Sequence, residues 1–172
     1  MLRTTFAADK VEIYRFHPVV LILTPVLALV LQSYLPLHLG FVNLLDLPLL
    51  VVIYFGLMRR SPVQGILTGA LVGMAQDSLS RGPIGFLGSA KTVIGYVASF
   101  ASVRFTVENT LVRGIILLVF YYLHFFQLYL ISALLLGHLM SPDWGQRLLA
   151  ALVNSVMGML LFRLLDRFRR PA

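Results

Sequence analysis

The sequence predicts an all-α integral membrane protein, a bundle of six transmembrane helices in a single domain spanning residues 1–172. Three observations predict it. Hydrophobic residues make up 59% of the 172 and charged residues only 12%, too few charges to cover an apolar interior in water. The mean hydropathy is strongly positive, and the apolar residues gather into runs of spanning length. Basic residues sit between those runs and alternate with them as the two sides of a bilayer would.

A hydrocarbon core about 30 Å thick needs about 20 helical residues. The first run, 18–39, meets that length and is too long for a cleavable signal core of about 7–15 residues. No small-x-small cleavage site follows it, so an uncleaved span is expected. The second, 44–58, is shorter; Asp46 reads as a cap and Pro48 as a first-turn proline, and Arg59-Arg60 closes it. The third runs 62–79 and the fourth 83–103, separated by the turn-like Arg81-Gly82-Pro83. The fifth, 114–140, is long enough to tilt or to project beyond the membrane. After Ser141-Pro142-Asp143-Trp144-Gly145 the sixth covers 146–165 and ends in Arg167-Phe168-Arg169-Arg170. The loops are too short to hold a folded soluble domain, so binding or chemistry is expected in the membrane or at its surfaces.

With both ends in the cytoplasm, the inner segments carry Arg3, Lys10, Arg15, Arg59, Arg60, Arg104, Arg113, Arg163, Arg167, Arg169 and Arg170. The outer segments carry only Arg81 and Arg147, and Lys91 falls within a span. The positive-inside rule favours that orientation in a cytoplasmic membrane. Tyr34 and Trp144 then fall near the outer interface, where amphipathic aromatics prefer to sit. The net charge of +7 is distributed for lipid and topology rather than along a nucleic-acid-binding face. The basic tail is expected to hold its end at anionic membrane lipid.

Gly65, Gly69 and Gly73 repeat every fourth residue and share one helix face. Such a face lets a neighbouring helix approach closely, either within the protein or as a groove for a partner's single span. Asp77 continues the step, and with Lys91 it is one of two ionisable residues expected inside the membrane. An isolated charge at mid-span costs about 2.5–3.5 kcal/mol on the insertion scale, so an Asp77–Lys91 ion pair locking the hairpin of spans three and four is expected. Proton or substrate handling and separate satisfaction by water or interface are the alternatives. Gln32 and Asn154 fall in the outer halves of their spans and, with Asp77, Lys91 and Thr92, form an expected outer polar patch. Interhelical hydrogen bonding is its simpler use, and an outward-opening ligand cavity the other. His124 and Gln127 share a face near mid-membrane, as hydrogen-bonded packing residues or as a ligand or relay site.

The chain has no cysteine, and His17, His38, His124 and His138 lack metal-binding spacing. No Ser–His–Asp arrangement, zinc-type His-Glu-x-x-His or phosphate-cradling loop is present. No catalytic residue, metal or cofactor is expected.

Between Asn43 and Ser99 the sequence resembles the rod shape-determining MreD family. The matching pieces are Leu45-Asp46-Leu47-Pro48-Leu49-Leu50, the Gly65…Gly69…Gly73 step, Gln76-Asp77-Ser78-Leu79, Gly82-Pro83-Ile84-Gly85-Phe86 and Ile94-Gly95-Tyr96. Two departures stand out: many members place proline ahead of aspartate at the start of span two, and Lys91 is foreign to the pattern. The resemblance implies a non-enzymatic membrane component of the bacterial cell-elongation machinery that binds MreC. Such proteins work beside RodA, its paired penicillin-binding transpeptidase and, indirectly, MreB in building lateral peptidoglycan. It also implies a fold similar to the substrate-binding S components of energy-coupling-factor transporters. A vitamin-binding S component is the alternative reading. The small-residue step such a protein needs in its first span is interrupted here, because Gln32 lies four residues after Ala28.

Overall fold

The computed structural model describes residues 14–38, 40–80, 82–104, 109–135, 137 and 143–171. Within them the chain forms six α-helices: α1 (Pro18–His38), α2 (Leu47–Arg59), α3 (Pro62–Leu79), α4 (Phe86–Arg104), α5 (Thr110–Leu135) and α6 (Trp144–Leu165). Four stretches, Pro18–His38, Phe86–Arg104, Thr110–Leu134 and Trp144–Phe168, are long and apolar enough to cross a membrane.

Residues expected at several helix ends are spent on turns. The second run begins three residues late because Gly40–Leu44 winds as a 3-10 turn and Asp46 caps α2 through Leu49 N–H. Pro83–Gly85 precede α4 as a turn, with Gly85 at φ 91°, a conformation that favours glycine. At α5, the helix starts earlier, at Thr110, and its described part ends at Leu135. The expected continuation through 138–140 lies outside the described residues, as do Arg3, Lys10, Arg81 and His138.

α2 is the axis of the bundle. Its sequence is apolar on every side, and each residue from Pro48 to Met58 is buried. The other five helices all touch it, α4 most extensively. Thirteen residues rise only about 20 Å, and the 3-10 turn ahead of α2 packs against α1 and α6.

α3 and α4 form the tightest pair, an antiparallel hairpin. A Cβ at Gly65 would collide with Gly95, one at Gly69 with the Lys91 backbone, and one at Gly73 would lie 2.6 Å from Gly88 Cα. The glycine face is therefore covered by α4 along its length, and the alternative of an open groove for a partner's span is corrected. Backbone-to-backbone approach of this kind yields van der Waals contact that a lipid chain cannot match.

At the opposite end from the start of α2, a short antiparallel ladder pairs β1 (Tyr14–Phe16) with β2 (Arg169–Pro171). Residues flanking the first and last helices therefore meet on one side. Phe16 packs edge-on against Tyr54 and Phe55, and Tyr54 against Phe162. Beside them Asp166 accepts from Tyr54 Oη at 3.1 Å and from Arg113 Nη1 at 2.6 Å. One carboxylate thus joins α2, α5 and the end of α6.

Candidate functional site

Polar side chains from α1, α4, α5 and α6 converge on the backbone that enters α2. Backbone packed inside the bundle but outside a helix must find its hydrogen-bond partners within the protein. Gln32 of α1 does so with both ends of its amide: Nε2 donates to Leu45 O and Oε1 accepts from Leu47 N–H, each at 2.9 Å. Asn154 of α6 accepts from Asp46 N–H at 2.9 Å and donates to Leu44 O at 2.6 Å. Its amide nitrogen also reaches Ala150 O, in its own helix. Two side chains from two helices thus pair four backbone groups between Leu44 and Leu47.

The Asp46 side chain divides its oxygens. Oδ1 caps α2 through Leu49 N–H at 3.0 Å, and Oδ2 receives Lys91 Nζ at 2.6 Å. Lys91 is completely buried, and this ion pair neutralises it. His124 Nε2 stands 3.5 Å from the same oxygen. Both ring nitrogens of His124 lack a hydrogen-bond partner among the described residues, as does Gln127 Oε1. His124 thus belongs to the Asp46 cluster, and Gln127 remains its neighbour along α5.

The expected Asp77–Lys91 pair is corrected. Asp77 is 2% exposed, and its carboxylate is taken up by the turn into α4. Oδ2 accepts from Gly85 N–H and Gly88 N–H, and Oδ1 from Leu87 N–H, all at 2.9 Å. These are donors that the first turn of a helix leaves unpaired, and a carboxylate there also meets the positive end of the helix dipole. Lys91 instead reaches across to α2. Thr92 donates to Gly88 O of its own helix. The expected outer patch therefore separates into a cluster around Asp46, containing Gln32, Lys91, His124 and Asn154, and an independent cap at Asp77.

Asp46 as the ion-pair partner is what the sequence reading missed. Its capping role accounted for one oxygen, and the second oxygen was the available signal. Asp166, with Arg113 and Tyr54, was missed as well. Among the described residues no three His, Cys, Asp or Glu side chains gather as a metal ion would require.

The Asp77 cap fixes a turn whose tip is apolar and outward. Ile84 is 84% exposed, and Leu79 and Pro83 beside it are also exposed. A buried carboxylate with three backbone donors is a rigid support for a small hydrophobic surface. Comparison with protein-family models, with curated proteins and with solved structures gave no match to this chain.

Proposed function

We propose that this chain is a non-enzymatic membrane scaffold and regulator of the bacterial cell-elongation (rod) complex, an MreD-like protein that binds MreC and supports lateral peptidoglycan synthesis and cell shape. In this reading all six helices belong to the membrane domain, in an arrangement like that of the S components, with both ends in the cytoplasm. RodA, the penicillin-binding transpeptidase and, indirectly, MreB are the further partners.

The observation that carries it is the turn held by Asp77. Its three backbone hydrogen bonds present Leu79, Pro83 and Ile84 as a preformed apolar knob at the end of the α3–α4 hairpin. A preformed contact surface loses little entropy when a partner docks. The polar cluster supports the same reading, because Gln32, Asn154, Asp46 and Lys91 are engaged in holding the bundle together. The basic residues of the sequence, and the ladder that brings residues 14–16 beside 169–171, support ends on one, cytoplasmic, side.

Copurification from mild detergent tests the proposal. MreC is expected with the wild-type chain and to fall at least about tenfold with Ile84→Asp, roughly a loss of 1.4 kcal/mol in binding. Unchanged MreC recovery with Ile84→Asp would remove the turn from the interface. A tightly retained vitamin in place of MreC would favour the S-component reading.

A further inference from the structure

We propose that the groove between α1 and α6 is a binding site for one acyl chain of an anionic phospholipid from the leaflet nearest the β1–β2 ladder. α1 and α6 stand apart, and α2 floors the space between them. The groove has a volume of about 510 Å³ and is lined by α1 from Val19 to Leu31, with Val51 of α2, Leu164 of α6 and Phe168 among its other walls. Thr24 contributes the one hydroxyl in an otherwise apolar lining.

Length selects the occupant. Twelve residue steps from Val19 to Leu31 rise about 18 Å, close to one leaflet of a hydrocarbon core about 30 Å thick. The far end closes where Gln32 ties α1 to Leu45 and Leu47. A partner's membrane-spanning helix needs the full thickness and would run into that closure, whereas a single acyl chain ends there.

Charge at the open end selects the headgroup. The mouth lies between Val19 and Phe168, beside the ladder of residues 14–16 and 169–171. Arg167, next to Phe168, is exposed. Asp166, the nearby acid, is occupied by Arg113, Tyr54 and Arg169. His17, exposed one residue ahead of α1, accepts from Val19 N–H through Nδ1 at 3.3 Å. A phosphate with a net negative charge fits there better than a zwitterion.

The inference rests on the chain spanning a bilayer, and on neither the partner nor the orientation proposed above. Its test is photolabelling of the whole protein in phosphatidylcholine vesicles containing a little phosphatidylglycerol with a photoreactive acyl chain. Label is expected on residues 19–31 and 161–168. It should be competed by unlabelled phosphatidylglycerol and not by phosphatidylcholine. Thr24→Trp should reduce it at least fivefold, whereas Leu134→Trp, on an exposed part of α5, should leave it unchanged. Arg167→Gln should lower the preference for the anionic lipid about fivefold. Label spread evenly over the exposed faces, or competed equally by both lipids, would overturn the proposal. The competition experiment uses wild-type protein, so the result does not depend on the Trp variants folding.

Discussion

Asn154 in α6 and Asp46 ahead of α2 are joined by a 2.9 Å hydrogen bond from the Asp46 backbone N–H to the Asn154 side-chain oxygen. The same amide donates to Leu44 O, so a single side chain substitutes for the intrahelical partners this backbone lacks. Asn154→Leu should leave a part-buried N–H and a carbonyl unpaired and cost about 2–3 kcal/mol. Reversible unfolding in mixed detergent micelles reads that loss. A stability equal to wild type would mean the segment finds other partners.

Breaking the buried ion pair should cost more than removing it. Lys91→Met leaves the Asp46 carboxylate without its cation, at a cost of about 3–5 kcal/mol. Asp46→Asn strands the fully buried ammonium and should cost a similar amount. The double variant, lacking both charges, should be more stable than either single one. A double-mutant cycle on unfolding free energies measures this, and simple additivity of the two losses would contradict the coupling.

How far this was legible in the sequence follows from what apolar runs can specify. The helices show up because apolar runs have spanning length, and Pro62 and Arg59-Arg60 punctuate the second and third. That α2 is the buried axis does not show, because a helix apolar on all sides suits lipid and protein interior equally. The glycine step of α3 announces close approach but not its partner, and α4 answers with Gly88 and Gly95. Sequence proximity assigns Lys91 to Asp77, its neighbour across the hairpin turn. The amide donors at the start of α4 claim Asp77 first, and their demand could have been inferred from the helix start itself. Asp46 is close to Lys91 only because α2 lies against α4, a tertiary fact with no local mark.

The glycine face makes a prediction about size. Gly69→Leu should be severely destabilising, since even its Cβ would enter the Lys91 backbone, which cannot yield like a flexible side chain. Gly69→Ala should already cost at least about 2 kcal/mol. Gly40→Ala is the contrast, because nothing lies within 4 Å of its added carbon. Its effect should stay within about 0.5 kcal/mol. Thermal unfolding of the three variants in one detergent separates packing from a general intolerance of substitution.

Asp77 supplies the last prediction, and it discriminates between the two partners Lys91 was offered. Asp77→Ala removes the acceptor for Gly85, Leu87 and Gly88 N–H and should cost about 2 kcal/mol, as the loss of a strong helix cap does. Amide hydrogen exchange over 82–88 should accelerate at least tenfold, while exchange in α2 stays slow, because the loss is confined to the turn. Combining Asp77→Ala with Lys91→Met should give additive losses within about 0.5 kcal/mol, since the two side chains share no partner. A coupling of more than about 1 kcal/mol between them would restore the hairpin ion pair and displace Asp46 as the counter-ion of Lys91.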